Sequence, residues 1–181
     1  MGRIKNAALI TKLVERLRDE ESWCGETHVQ KAVYFLQHLM DVPLGFRFIL
    51  YKHGPFSFEL RDELTALRAD HLLTLEHNSR YSPRITTTRQ SKYIQDRFPK
   101  TLSRYDSRIS FVARRLGPKG VVQLERLGTA LYVRLEAEKT AEHRVRRIVA
   151  LKPHIAEPEA IRAVREVDKI LSDSRDRVSV H

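Results

Sequence analysis

The sequence is poor in cysteine and has no long apolar run. Cys24 is its only cysteine, so neither an intramolecular disulfide nor a zinc site built from several cysteines can form. No run of about eighteen apolar residues exists, and residues 1–5 lead into a mixed-charge helix rather than an apolar signal segment. We therefore predict a soluble, cytoplasmic protein without a membrane partner.

Motifs of the common catalytic sites are also missing. There is no glycine-rich phosphate loop, no His-Glu-x-x-His, no Gly-x-Ser-x-Gly and no Cys-x-x-Cys. The acidic-x-Lys element within residues 136–139 lies in a helical context, whereas metal-dependent nucleases carry it on a strand. Cys24 has only His28 nearby as a base, and a lone cysteine is usually a small buried hydrophobe. We predict a non-enzymatic protein with no cofactor and no metal. A metal-dependent hydrolase is a distant third hypothesis, behind two binding functions.

The sequence has an excess of positive charge, and that charge is unevenly placed. Its 33 Lys and Arg face 23 Asp and Glu, and +7 of the net +10 lies within residues 89–119. Residues 1–88 and 120–181 are nearly neutral. A polyanion such as nucleic acid is the expected partner. An acidic protein partner is the alternative.

Hydrophobic periodicity predicts a mainly α chain with a small β-hairpin. Apolar spacing predicts helices over 6–20, 27–41 and 57–71, a short strand over 46–51, and hairpin strands over 72–77 and 81–88. Gly54-Pro55 is expected to end the short strand, and Ser57 to cap the third helix. Because a helix followed by a basic hairpin is the order of a winged helix, residues 1–88 are predicted to form a winged-helix-like module.

The second half is predicted to be helical throughout. Helices are expected over 89–98, 103–116, 120–139, 141–151 and 158–171, separated by prolines and glycines. Asp168 shares the apolar face of the last helix, which is an unusual place for a carboxylate. We predict that residues 89–171 form a basic helical layer packed on the first module, and that residues 172–181 are a frayed tail.

Several motifs together resemble a known family. An apolar helix carries Gln30-Lys31 and Tyr34-Phe35-Leu36-Gln37, and the pattern Tyr51-x-His-Gly-Pro-Phe-Ser-x-Glu-Leu60 follows it. With Thr129-Ala-Leu-Tyr132 and Leu151-Lys-Pro-His154, this order resembles the Panacea (SocA-like) antitoxin domains and their YwgA-like bacterial relatives over roughly residues 20–170. The resemblance implies a small, helical, winged-helix-like protein, in some members an antitoxin or adaptor that contacts another protein. It implies no catalytic residues.

The predicted nucleic-acid contacts come from three segments. Arg61 and Arg68 share one stripe of the third helix, although that helix carries a net charge of −2. The hairpin supplies a basic wing, and the basic segment interleaves cations with aromatic residues that suit base stacking; the alternative there is an ordinary solvated helix face over aromatic core residues. The predicted nucleic-acid-binding residues are Arg61, Arg68, Arg80, Arg84, Arg89, Lys92, Arg97, Lys100, Arg104 and Arg108.

Two functions follow as hypotheses. The first is a non-enzymatic nucleic-acid-binding or regulatory protein of a bacterial defence or toxin-antitoxin type system. The alternative is an antitoxin or adaptor that binds only a protein partner, such as a toxin or a defence complex. Tyr51, His53 and Ser57 surround the Gly-Pro corner and are polar enough to build a site, but a structural role in fixing that corner is favoured.

Overall fold

The computed structural model describes residues 2–78, 81–136 and 140–178, and it is mainly helical with two small antiparallel sheets. This confirms the predicted fold class. The helices are α1 (Arg3–Asp19), α2 (Glu26–His38), α3 (Phe58–Ala69), α4 (Arg89–Asp96), α5 (Pro99–Leu116), α6 (Val121–Glu136), α7 (Ala141–Leu151) and α8 (Glu157–Val178). The strands are β1 (Ile49–Tyr51), β2 (Gly54–Phe56), β3 (Leu73–Asn78) and β4 (Tyr81–Thr87).

Helix α2 lies at the centre of the molecule. It contacts α1, α3, α5, α6 and β2, and its apolar residues Val29, Val33 and Leu36 are buried as predicted. Gln30 and Lys31 are buried as well, so α2 is enclosed on more sides than an amphipathic surface helix. Buried apolar side chains from α1 to α8 form one continuous core around it.

The Gly54-Pro55 corner differs from the prediction. These residues do not end a strand but belong to β2, which pairs antiparallel with β1 across a turn at residues 52–53. Gly54 has a φ of +82°, a conformation that favours glycine, and a Cβ added there would lie 3.1 Å from the carbonyl oxygen of Glu125. The sequence showed a break at this point but could not show that the chain folds back on itself there.

Helix α3 and the hairpin after it follow the prediction closely. The Ser57 hydroxyl accepts a hydrogen bond from the Leu60 N–H at 3.1 Å and caps α3. Strands β3 and β4 pair antiparallel, with an irregularity between Glu76 and Asn78. The two sheets are separate, and the β1–β2 hairpin stands between α2 and α3, so the order departs from the commonest winged helix.

Helices α4 and α5 pack on the N-terminal helices. Both contact α1, and α5 also contacts α2. Pro99 was predicted to lie between two helices, over 89–98 and 103–116. It is instead the first residue of α5, because proline suits the first turn of a helix. The division of the chain into domains at residue 88 remains a prediction.

Asp168 has a structural reason for its place on the buried side of α8. Its carboxylate accepts hydrogen bonds from Arg144 of α7 at 2.7 and 2.8 Å and from Arg134 of α6 at 2.9 Å. The hydrogen bond from Arg144 lowers the pKa of Asp168 below its usual value. The three C-terminal helices are thus joined by one ionic cluster.

The predicted frayed tail is wrong for residues 172–178. Helix α8 continues to Val178, Ser174 is buried, and Asp173 pairs with Arg115 of α5. The sequence could not reveal this partner, because the two residues lie 58 positions apart. Residues 179–181 of the predicted tail lie outside the described residues.

Candidate functional site

The exposed face of α4 is basic and aromatic. Positions 89, 92, 93 and 97 recur at helical spacing, and the opposite side of the helix packs on α1. Tyr93 is 67% exposed, the largest exposed fraction among the large hydrophobic side chains of the described residues. Asp96 is the one carboxylate in the sequence of α4, and it pairs with Lys92 at 2.5 Å.

This surface continues onto the first turns of α5. Lys100 and Arg104 are exposed there, and the Arg104 guanidinium lies 5.5 Å from the ring centroid of the buried Tyr105. Within residues 2–78, 81–136 and 140–178, no carboxylate forms an ion pair with Arg89, Arg97, Lys100 or Arg104. We name the following residues the α4–α5 basic surface: Arg89, Lys92, Tyr93, Arg97, Lys100 and Arg104.

The C-terminal part of the basic segment is engaged internally. Arg108 donates a hydrogen bond to the Met40 carbonyl at 2.7 Å and is half-buried, which argues against its predicted contact with nucleic acid. Arg115 pairs with Asp173, and Lys119 pairs with Glu166 at 2.5 Å, both on α8. Tyr105 and Phe111 are buried core residues, which favours the alternative of a solvated helix face over aromatic core residues for this part of the segment.

A second basic region is the cleft between α3 and the β3–β4 hairpin. It has a volume of about 370 Å³, and its lining combines apolar side chains with polar ones that include Arg61, Arg68 and Glu26. The Arg84 guanidinium lies 4.9 Å from the ring centroid of Trp23, which also lines the cleft. Of the predicted contacts, Arg61 and Arg68 line the cleft, and Arg84 lies against one of its lining residues. The fourth, Arg80, lies outside the described residues.

Cations from elsewhere in the chain neutralise α3. Arg3 of α1 pairs with Glu63 at 3.1 Å and with Asp70 at 2.6 Å, and Arg47 pairs with Glu59 at 2.5 Å. The net charge of −2 predicted for the third helix leaves out these two arginines, because they come from other parts of the sequence. The repulsion between α3 and a phosphate backbone is therefore weaker than the sequence suggested.

Two buried lysines hold the β1–β2 hairpin in place. Lys31 of α2 donates a hydrogen bond to the Pro55 carbonyl at 3.0 Å. Lys152, just after α7, donates to the carbonyls of Tyr51 and Lys52, each at 2.5 Å. We call Lys31 and Lys152 the lysine clamp. It fixes the hairpin to α2 on one side and to the end of α7 on the other.

Glu125 of α6 supplies the counter-charge to the clamp. Its carboxylate lies 3.6 Å from the Lys152 ammonium, 3.0 Å from His154 Nε2 and 3.6 Å from His53 Nδ1. Burial lowers the pKa of Lys31 to about 8, although Glu125 opposes that shift. Two ammonium groups around one carboxylate make an unfavourable place for a metal cation, and no group of ligands in the described ranges is arranged to hold one.

The motif segments noted in the sequence meet at this hairpin. Gln30 exchanges two hydrogen bonds with the backbone of Ser57, at 2.9 and 3.0 Å, and a Cβ added at Gly54 would lie 3.3 Å from the Thr129 hydroxyl. Sequence reasoning did not identify the lysine clamp, because its residues come from distant segments. The one available signal was that Lys31 and Lys152 both belong to motif segments.

No protein-family model matches the chain, and no curated protein is significantly similar to it. The resemblance to Panacea domains therefore remains a hypothesis drawn from motif order. Among the helices of the described residues, none combines the length and the apolar character needed to cross a membrane.

Proposed function

We propose that this protein binds nucleic acid through the α4–α5 basic surface and has a non-enzymatic, regulatory role. The observation that supports the proposal is a group of exposed cations, among them Arg97 and Lys100, that have no carboxylate partner in the described part of the chain. The exposed Tyr93 lies four positions before Arg97. Unpaired cations can replace the counterions of phosphates, and an exposed aromatic ring can stack on a base.

The biological setting of this proposal rests on the Panacea-like motif order. That resemblance favours a bacterial defence or toxin-antitoxin type system. The second candidate function is an antitoxin or adaptor that binds a protein and no nucleic acid. The cleft beside Arg61 and Arg68 is a secondary contact in the first case and carries no phosphate in the second.

A pair of charge-matched variants tests the proposal. The first replaces four cations of the α4–α5 basic surface with glutamine: Arg89, Arg97, Lys100 and Arg104. The control replaces four exposed cations on α7 and α8 with glutamine, with the same loss of net charge: Arg146, Arg162, Arg165 and Lys169. Binding to labelled single strands and unrelated duplexes is measured by fluorescence anisotropy across a salt series.

We expect the first variant to bind all sequences more weakly and with a shallower salt dependence. The slope of log K against log salt should decrease by roughly one for each phosphate that the variant no longer binds. The control should retain most of the binding. Equal losses in both variants would mean that net charge, not this surface, drives association. If the parent binds none of these ligands, the protein-only candidate replaces the proposal.

A further inference from the structure

Three aromatic rings form an exposed cluster on the β1–β2 hairpin and the start of α3. The ring centroids of Tyr51, Phe56 and Phe58 lie 5.1 to 5.8 Å apart. Tyr51 is 44% exposed, Phe58 is 41% exposed, and Ile49 on the same hairpin is 49% exposed. We name these four residues the aromatic patch. Its apolar side chains are contiguous, whereas an isolated exposed apolar side chain has no special meaning.

The backbone that presents the aromatic patch is held rigidly. Lys152 binds the Tyr51 carbonyl, Lys31 binds the Pro55 carbonyl, and the positive φ of Gly54 fixes the strand between them. None of these interactions covers the exposed rings. A surface that is ordered before binding loses little conformational entropy on association, which favours its use as a docking site.

The charges around the aromatic patch have a small positive balance. Arg61 lies 5.0 Å from the Phe58 ring centroid, and Lys52 and His53 are exposed at the hairpin turn. Glu59 pairs with Arg47, and Asp62 pairs with Arg61 at 3.7 Å, so Lys52 is the cation beside the patch that has no carboxylate partner in the described residues. An occupant with acidic side chains therefore complements the rim.

The ring geometry and the net charge favour another protein over nucleic acid or a second copy of the chain as the occupant of the patch. The rings meet at interplanar angles of 43° to 75°, and the Arg61 guanidinium occupies one face of Phe58, so the patch is not a set of parallel open faces on which bases could stack. Two copies of the chain, each with a net charge of +10, repel one another. An apolar side chain of another protein can pack between tilted rings. It needs no open parallel ring face and brings no repelling charge.

We infer that the aromatic patch is a docking site for a segment of another protein that carries an apolar anchor flanked by acidic residues. The inference goes beyond nucleic-acid binding and does not depend on it, because the α4–α5 basic surface shares no residue with the patch.

Selection from a random peptide library displayed on phage tests this inference. The full-length parent is the bait, and a variant carrying Tyr51→Ser and Phe58→Ser is used for counter-selection; both substitutions keep the backbone carbonyls that bind the lysine clamp. A control variant carries Ile4→Ser and Val122→Ser, which removes exposed apolar side chains on α1 and α6. A second test variant, Arg61→Gln, changes the charge beside the patch and leaves its rings in place. The melting temperature of each variant establishes that it folds.

We expect enriched peptides to contain a large apolar residue next to Asp or Glu. As synthetic peptides they should bind the patch variant at least about tenfold more weakly than the parent or the control variant. Binding to Arg61→Gln should be weaker and less sensitive to salt. Enriched peptides that lack this pattern, or that bind the patch variant equally well, overturn the inference, as does a failure to enrich any peptide.

Two further outcomes identify a different occupant and also overturn the inference. The first is self-association of the parent in analytical ultracentrifugation that Tyr51→Ser abolishes. The second is single-stranded DNA binding that is lost in the patch variant but kept in the control variant with Ile4→Ser and Val122→Ser. Loss of DNA binding in the four-glutamine variant alone bears on the proposed function and leaves the docking site unaffected.

Discussion

Lys31 is only 1% exposed, although its side chain ends in an ammonium group. Its hydrogen bond to the Pro55 carbonyl and the nearby Glu125 carboxylate compensate only part of the cost of desolvation. The pKa of Lys31 is lowered to about 8, so the unfolded chain binds this proton more tightly than the folded one. Linkage then requires the contribution of Lys31 to stability to rise with pH above about pH 8.

We predict that the stability of the parent relative to a Lys31→Met variant increases by about 2 kcal/mol between pH 7 and pH 10. The measurement is urea unfolding of both proteins at several pH values. Lys100→Met, at an exposed position, controls for the loss of one positive charge. A difference that stays constant or decreases with pH contradicts the burial of a charged Lys31.

Cys24 is a buried residue with an inert thiol. It is fully buried, has a φ of +51°, and its carbonyl accepts a hydrogen bond from Ile85 N–H at 2.8 Å. Burial raises the pKa of the thiol to about 12, so almost no thiolate is present at neutral pH. This residue fits the structural interpretation rather than that of a nucleophile.

We predict that Cys24 reacts with a disulfide reagent at pH 8 at least about a hundredfold more slowly in the native protein than in denaturant. The reaction is followed by absorbance at a series of denaturant concentrations. Its rate should track the fraction of unfolded protein. Rapid labelling of the native state would show that the thiol is accessible and activated.

At the scale of one element, the surroundings of Gly54 in the β1–β2 hairpin determine how well a larger side chain is tolerated there. Gly45, which precedes the hairpin, provides the comparison. Gly54 and Gly45 both have a φ of +82°. A Cβ added at Gly54 would meet Glu125, Thr129 and Lys31 at 3.1 to 3.4 Å, whereas nothing lies within 4 Å of one added at Gly45. The two positions share the same backbone strain and differ in their surroundings.

We predict that Gly45→Ala destabilises the protein by about 1 kcal/mol through backbone strain, and that Gly54→Ala costs roughly 1 to 2 kcal/mol more. The melting temperature of Gly54→Ala should fall by several degrees. Thermal unfolding of both variants measures the difference. Equal melting temperatures would mean that the hairpin shifts to make room, and lost partner binding at an unchanged melting temperature would make this corner a functional site.

At the scale of the whole molecule, the core is continuous across the predicted domain boundary. Apolar residues from α1 through α8 belong to one cluster, and α2 contacts elements from both halves of the chain. Ion pairs of Arg115 and Lys119 tie α5 and the residues just after it to α8. A single core of this kind favours a single unfolding transition.

We predict that Phe35→Ala, at a residue 1% exposed on α2, destabilises the whole chain by about 3 to 5 kcal/mol. Fluorescence of Trp23 reports on the N-terminal half, and far-UV circular dichroism reports on all helices. The two transitions should coincide in the parent and shift together in the variant. Separate transitions would support two independent domains divided near residue 88.

The sequence alone determined the local features of this protein. Helical periodicity, the Ser57 cap and the turn signals depend on neighbours within a few residues, so the helices and the β3–β4 hairpin could be predicted from them. The uneven charge and the single cysteine are properties of composition. The exposed cations of α4 also followed from spacing, because α4 is amphipathic and its polar face is solvated.

Only the tertiary structure decided which charges remain free and which side chains are exposed. Arg3 and Arg47 neutralise carboxylates of α3, and Asp173 pairs with Arg115. Arg108 donates a hydrogen bond to the Met40 carbonyl. The partners in each case are far apart in the sequence. The lysine clamp and the aromatic patch likewise depend on segments that come together only in the fold. Ion pairing and burial act through space at a few ångströms, and a one-dimensional sequence carries no direct record of those distances.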